Sequence, residues 1–231
     1  MKAVRLLVTV EARRGWGAIV RGLPAQCGAV LVVPPAGSSR TLGGSEWSES
    51  AVAVLRQEWR GVDDGRRLMG VDVSAPAEGS DGDSALVRAA AAELLPDIIV
   101  ETRPTPGWPH EWALHGVVSS GAMSSDGPLA QALADDAVSL CLFQARFGDA
   151  APVVPESSKP WFAVVGGLDE ARLAVAAGAT KLAWRCAGRT LFGRLKPPVG
   201  DMVKASDLLA EAWRKAHPDR RPTGRFTFSP D

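Results

Sequence analysis

The chain has 231 residues, with 26 basic and 26 acidic side chains, and 46% of its residues are hydrophobic. This composition excludes a wholly disordered chain, and no apolar stretch reaches the roughly 18 residues that a transmembrane helix needs. The three cysteines form no CxxC pair, which argues against a disulfide framework and a structural zinc site. With only three histidines, we expect no metal and no bound cofactor. The first residues lack the apolar core of a signal peptide, so we expect a cytoplasmic protein, and the residue usage is typical of a bacterial source.

Short apolar runs alternate with helical patterns over the first hundred residues. Each run is rich in β-branched residues and is bounded by glycine, proline or charged residues. The predicted strands are Val4–Val10, Ala29–Val33, Leu68–Ser74 and Ile98–Glu101. The predicted helices between them are Trp16–Gln26, 46–60 and Ala85–Leu95. Alternation of this kind predicts a parallel sheet with helices on both of its faces.

The second half of the chain continues the pattern less regularly. Pro128 is well placed at the first position of a helix, which we extend to about Phe143. A proline-rich and serine-rich connection over 152–160 then precedes a β-α-β pattern and a last helix. The remaining predicted elements are strands at Trp112–Val118, Phe162–Val165 and Leu182–Arg185, and helices at Asp169–Ala177 and Val203–Ala216.

We therefore predict a Rossmann-like α/β fold, an open and mainly parallel sheet followed by a smaller C-terminal β-α-β and helical portion. The predicted domains are residues 1–150 and a C-terminal extension over 151–231, with one continuous domain as the alternative. Because crossovers between parallel strands are right-handed and short, we expect the first four strands to be neighbours in one parallel sheet.

The order of elements over residues 4–118 resembles the Rossmann-like ligand-sensing domains of bacterial defence systems. The resemblance implies binding of a cyclic oligonucleotide at the strand ends. Those domains often carry a Thr-Gly-Gly-Thr-Lys run after the fourth strand, whereas this chain has Thr102–Gly107, TRPTPG.

Loops after the strands are the expected ligand-binding segments, because open parallel sheets bind ligands beyond the carboxyl ends of their strands. The loop after the second predicted strand combines glycine, hydroxyl groups and an arginine ahead of a helix, which favours an anion. A solvated loop without a ligand is the alternative. The candidate ligand-binding residues are Arg13, Arg14, Ser38, Ser39, Arg40, Arg103 and Trp108.

Charge is unevenly distributed, because both ends of the chain are basic and the middle is acidic. A basic patch interleaved with aromatic residues is typical of surfaces that bind nucleic acid or a nucleotide. The alternative is that these cations pair with the acidic middle of the same chain. The predicted basic patch consists of Arg185, Arg189, Arg194 and Lys196.

Three residues are weak catalytic candidates. His115 and Cys141 resemble the dyad of caspase-like peptidases, but the apolar neighbours of Cys141 favour a buried and inert thiol. Glu49 lies at a predicted helix start, where a carboxylate complements the helix dipole or binds a ligand.

Three functions remain open from the sequence, and whether the protein is an enzyme is uncertain. The first is a non-enzymatic module that binds an anionic molecule or a protein partner within an assembly. The second is a hydrolase or nucleotide-processing enzyme, for which Arg40, Glu49, Asp72, Arg103 and His115 are the residues to test. The third is a structural subunit of an oligomer. None of the three involves a membrane.

Overall fold

Eight short apolar segments form strands in the computed structural model, which describes residues 4–12, 15–33, 49–62, 65, 67–74, 88–104, 113–146, 153–186, 189–191, 194–196 and 198–218. β-branched and aromatic side chains favour the extended backbone of these segments. Each strand pairs in parallel with the next one along the chain. The strands are β1 Leu6–Glu11, β2 Gly28–Val32, β3 Met69–Asp72, β4 Ile98–Glu101, β5 Leu114–Gly121, β6 Leu140–Ala145, β7 Trp161–Val165 and β8 Leu182–Cys186.

The last of these strands pairs with the first, so the sheet has no free edge. Leu6 lies opposite Leu182, and Val10 lies opposite Cys186, in parallel register. The eight strands therefore form a closed barrel, which is the architecture of the (β/α)₈ barrels.

The prediction of an open Rossmann-like sheet is wrong. The helix expected to run from Pro128 to about Phe143 ends at Ala134, and Leu140–Ala145 is instead a strand between β5 and β7. This strand completes the ring, and the β7 and β8 strands of the expected C-terminal portion belong to the same barrel. Nucleotide binding and a defence role depended on the open topology and lose their support with it. The narrower expectation that β1 to β4 are parallel neighbours is confirmed.

The described helices cover the outside of the barrel. The described connections after β4 (102–104) and before β7 (153–160) contain no helix. A two-stranded antiparallel hairpin follows β8. The helices are α1 Trp16–Arg21, α2 Glu49–Arg60, α3 over 88–93, α4 Pro128–Ala134, α5 Leu168–Ala176 and α6 Val199–Ala216, and the hairpin strands are β9 Arg189–Leu191 and β10 Arg194–Lys196.

Two hydrophobic cores follow from the alternation of side chains along each strand. The outward-facing side chains pack against the helices in one core, which includes Val8, Cys141 and Trp184. The inward-facing side chains fill the barrel in a second core. Its buried members are Leu7, Val30, Ile98, Val100, Leu140, Leu142, Phe162 and Ala183. Membership of the two cores therefore tells which face of each strand points into the barrel.

Glycine occupies three inward-facing positions because larger neighbours already fill the space. A Cβ atom on Gly70 would lie 2.9 Å from Cβ of Ile98 and 3.1 Å from the Ile98 carbonyl oxygen. A Cβ atom on Gly28 or Gly116 would lie within 3 Å of a leucine methyl group. In the barrel interior, large side chains thus pack against glycines, and there is no room for an added carbon at these glycine positions.

The expected domain boundary near residue 150 lies outside the described residues. Strands from both sides of it, β6 and β7, pair directly within the barrel. Within the described part of the chain, no helix combines the length and the apolar character needed to cross a membrane.

Candidate functional site

The carboxyl ends of the eight strands surround one opening of the barrel, which we call the mouth. In parallel barrels the catalytic residues come from this end, while the opposite end mainly supports stability. The alternation defined by the inner core places six polar side chains on the inner wall at or near the mouth. These mouth residues are Thr9, Glu11, Asp72, Ser120, Gln144 and Arg185.

Asp72 is the most unusual of the mouth residues. It ends β3 on the inner face, between the outward-facing Val71 and Val73, and only 6% of its surface is exposed. Oδ1 of Asp72 accepts a hydrogen bond from the Ser74 backbone amide at 2.9 Å. Burial raises the pKa of the Asp72 carboxyl, although hydrogen bonds from Ser74 oppose the rise. Asp72 is therefore a carboxyl group that holds its proton more tightly than usual, at the mouth of the barrel.

Glu101 ends the neighbouring strand β4 and is equally buried, but it serves a different purpose. Ile98 and Val100 face inward, so Glu101 faces outward toward the helix layer. There its Oε1 lies 3.8 Å from Nη2 of Arg88 in α3. The two buried strand-end carboxylates thus divide into one that faces the mouth and one that is paired with a cation beneath a helix.

Arg185 lies on the inner wall, three strands from Asp72. It follows the inward-facing Ala183 on β8, it is exposed, and it is in register with Thr9 on β1. The Thr9 hydroxyl is buried and donates a hydrogen bond to the Trp184 carbonyl at 3.3 Å, which ties β1 to β8 at this level. The guanidinium group therefore projects from a rigid part of the barrel.

Glu11 adds a second carboxylate to the mouth. It is half-buried at the end of β1, and Val32 on β2 is in register with both Glu11 and Asp72. Two strand spacings of about 4.8 Å separate the Cα atoms of the two acids along the wall. The inner wall of the mouth therefore carries carboxylates at the ends of β1 and β3, and Arg185 on β8, the strand next to β1.

The loop between β1 and α1 is fixed by a carboxylate from α2. Oε1 of Glu58 accepts a hydrogen bond from the Gly15 amide at 3.0 Å, and Oε2 accepts one from the Gly17 amide at 2.8 Å. These two amides at the start of α1 therefore already have hydrogen-bond acceptors within the protein. Gly15 has a positive φ of 84°, which suits glycine at this turn.

A similar arrangement follows β7. The Gly166 amide donates to Oε2 of Glu170 in α5 at 2.7 Å. Glu170 and Asp169 place two carboxylates in the first turn of α5. These charges complement the helix dipole and leave this helix start unsuited to an anionic ligand.

The alternative of a Cys–His dyad is not favoured, since neither residue faces the mouth. His115 and Cys141 both occupy outward-facing positions, since Gly116 on β5 and Leu140 on β6 point into the barrel. Cys141 is fully buried in the outer core, and burial raises its pKa to about 12. The expected burial of Cys141 is confirmed, and its inertness stays a prediction.

We expect Cys141 to resist thiol reagents in the native protein. A reagent reacts with the thiolate form of Cys141 and must reach its sulfur atom. At pH 8 labelling therefore requires local opening of the fold, and we expect its rate to be on the order of 100-fold lower than in the unfolded chain. Mass spectrometry of the labelled peptide after a timed quench measures this ratio. Labelling of Cys141 at the rate seen in urea would contradict the expectation and would reopen the peptidase hypothesis.

Most of the expected ligand-binding residues lie outside the described residues: Arg13, Arg14, Ser38, Ser39, Arg40 and Trp108. Arg103 is described and exposed, two residues after β4. Of the expected basic patch, Arg185 lies in the mouth, while only the backbone is described for Arg189, Arg194 and Lys196 in β9 and β10. Glu49 is the first residue of α2, where again only the backbone is described.

The sequence did not single out Glu11 or Gln144, and it named Asp72 only as one of five residues to test. The signal that identifies them is the alternation of side chains along each strand, because every second residue counted from an inward-facing core residue also faces inward. That reading requires knowing which face of each strand is inside. Within the described residues, no cluster of three or more histidine, cysteine, aspartate or glutamate side chains is suited to a metal ion.

A groove of about 660 Å³ lies outside the barrel, between α4 and residues 153–157. Gln131, Val153 and Glu156 are among its lining residues, and none of the mouth residues is. The groove and the mouth are separate features.

The chain has only weak likeness to solved structures. No family model and no curated protein matches the chain. One solved structure, titled "Native KDPGal structure", aligns with a TM-score of 0.46 and 15% identity over 94% of this chain and 97% of that one. A designed cube-shaped protein cage built from symmetric oligomeric domains aligns with a TM-score of 0.46 and 14% identity over 93% of this chain and 74% of that one. Such weak likeness carries nothing about chemistry, and the barrel assignment rests on the strand pairing.

Proposed function

We propose that the protein is an enzyme that binds a small polar carbonyl compound in the mouth and transfers a proton at a carbon next to the carbonyl group through Asp72. The observation that carries this proposal is the placement of a buried carboxyl group on the inner wall at the carboxyl end of β3. By analogy with other parallel barrels, that position is where catalytic side chains lie.

Burial gives Asp72 the property that such a reaction needs. A carboxyl with a raised pKa is a stronger base when ionised, and proton transfer is most efficient when the pKa of the base approaches the working pH. The Ser74 amide fixes one carboxyl oxygen, so the group is oriented before a substrate binds. Asp72 removes the proton as a carboxylate and returns it as a carboxylic acid.

Neighbouring residues favour a small and polar substrate. Leu142, Val100 and the other side chains of the inner core fill the barrel below the mouth, so a ligand is confined to the polar rim. Gln144 and Ser120 are exposed and offer hydrogen-bonding groups around that rim. This chemistry is that of an enzyme site lined by strand ends.

The other hypotheses from the sequence are less well supported. A non-enzymatic module for an anionic ligand relied on the 34–45 loop and on the basic hairpin, whose side chains are not described. A structural subunit of an oligomer has no observation in its favour beyond the proline-rich loops. The hydrolase alternative shares the location at the strand ends, but Arg40 lies outside the described residues and His115 faces away from the mouth.

Proton exchange with solvent tests the proposal without knowledge of the full reaction. The protein is incubated in D₂O with a panel of small 2-oxo acids, hydroxyketones and sugar phosphates, and the C–H signals are followed by proton NMR. We expect deuterium incorporation next to the carbonyl group of at least one compound, at a rate that rises with pH as Asp72 ionises. Exchange at the buffer rate for every compound in the panel overturns the proposal.

A further inference from the structure

We propose that Arg185 is the specificity-determining residue of the mouth, and that it binds a carboxylate or phosphate group of the substrate. This inference rests on the proposed function, because it names the class of molecule that Asp72 acts on. Carboxylate and phosphate present the same chemistry to a guanidinium group, namely two or three anionic oxygens in one plane or fork.

Arg185 is the only basic residue that the eight barrel strands place on the inner wall. Thr9 on β1 is in register with Arg185. The two residues that flank Arg185 on its own strand, Trp184 and Cys186, face outward. In the described part of the chain, the side chain of Arg185 makes no hydrogen bond and no ion pair, not even with Glu11 on the adjacent strand. The Arg185 side chain is therefore available to an anionic ligand, whereas Arg88 pairs with Glu101.

Two other arginines, unlike Arg185, have partners within the protein. Arg67 donates to the backbone carbonyls of Leu23, Pro24 and Cys27 and fastens the loop before β2. Arg172 on α5 pairs with Asp169 at 2.9 Å on the outer surface. Both have structural partners, whereas the guanidinium of Arg185 faces the space above the inner core.

The spacing fits a small substrate. Three strand spacings of about 4.8 Å along the curved wall separate β8 from β3. The long arginine side chain extends from the wall, so we expect the gap between Arg185 and Asp72 to suit a molecule of a few carbon atoms. An anionic group held by Arg185 therefore directs the other end of the substrate toward Asp72.

Asp72 adds selectivity to this arrangement. It lies on β3, three strands from Arg185, so an anionic group is attracted by Arg185 and repelled by the Asp72 carboxylate, whereas Glu11 lies on β1 next to Arg185. A substrate with a single anionic end consequently binds in one orientation.

Binding measurements test Arg185 independently of catalysis. Pyruvate, its neutral analogue pyruvamide, and inorganic phosphate are titrated into the full chain, and the Arg185 Nε–Hε signal and the thermal midpoint are recorded. We expect pyruvate or phosphate to bind, pyruvamide to bind at least about tenfold more weakly than pyruvate if the carboxylate is the bound group, and Arg185→Met to weaken binding of the anion at least about tenfold. Arg185→Lys keeps the charge but loses the fork, so we expect it to restore part of the affinity.

Arg172→Met is the matched control, since it removes an exposed arginine outside the mouth, and we expect wild-type binding. Equal binding by wild type and Arg185→Met, or no binding of either anion up to about 100 mM, overturns the inference. Asp72 takes no part in this readout. If proton exchange depends on Asp72 but binding does not depend on Arg185, the role of Arg185 is wrong and the proposed function stands. If binding depends on Arg185 but no exchange occurs, the proposed function is wrong and the role of Arg185 in binding stands.

Discussion

Asparagine in place of Asp72 is expected to slow proton exchange by about 10²- to 10⁴-fold, the range that a positioned acid or base contributes. The same substitution is expected to stabilise the protein at neutral pH. The raised pKa means that the folded state binds the Asp72 proton more tightly than the unfolded chain, so ionisation of this group costs folding free energy as the pH rises. Asparagine retains an oxygen for the Ser74 amide and has no charge to bury.

The gain in unfolding free energy should be present at pH 7.5, on the scale of about 0.5 to 2 kcal/mol that stabilising substitutions commonly give, and it should vanish below about pH 3, where the carboxyl is protonated in both states. Urea denaturation at the two pH values measures it. Glu101→Gln is the matched control, because it removes an equally buried carboxylate from the outer face of the next strand. We expect Glu101→Gln to leave exchange unchanged. A loss of stability in Asp72→Asn at neutral pH, or full exchange activity, would contradict the role assigned to Asp72.

A methyl group at position 70 is expected to lower the free energy of unfolding by about 1 to 3 kcal/mol, because the barrel interior has no space for it. The added carbon would press on Cβ and the carbonyl oxygen of Ile98, which belong to or adjoin the backbone of β4 and cannot move alone. Gly116→Ala should cost less, since the closest atom is a terminal methyl of Leu140, which can rotate.

Gly167→Ala serves as the control for these glycine substitutions. It has an extended φ of −166°, and nothing lies within 4 Å of an added Cβ. We expect it to change stability by less than about 0.5 kcal/mol. Chemical denaturation of the three variants should therefore rank Gly70→Ala as the least stable, then Gly116→Ala, then Gly167→Ala. Equal stability of Gly70→Ala and Gly167→Ala would show that the interior relaxes more freely than its packing indicates.

Seven of the eight barrel strands could be predicted from the sequence, because each is a short apolar run between turn residues. The eighth, β6, was hidden behind a run of helix-forming residues that begins at Pro128. The helix ends where Oδ1 of Asp135 accepts a hydrogen bond from the Ala137 amide, a local turn that competes with the helix. Without β6 the chain predicts an open sheet, so the error in fold class stems from this one turn.

The site was harder to predict than the strands. Asp72 and Glu101 look alike in the sequence, since each is the acid that ends an apolar strand. Only the register between neighbouring strands shows that one faces the mouth and the other the helices. Arg185 was identified for its charge, but as part of a surface patch rather than as a residue of the inner wall.

Closure of the barrel also has a consequence for the way the chain is made. β1 hydrogen-bonds to β8 across about 175 residues of sequence, so the edge of β1 that pairs with β8 stays open until β8 has left the ribosome. An exposed strand edge made of Leu6, Leu7 and Val8 is a template for pairing with another nascent chain. Contacts between such distant segments also form late and slowly. Synthesis of this protein should therefore depend on chaperones that shield its first strand.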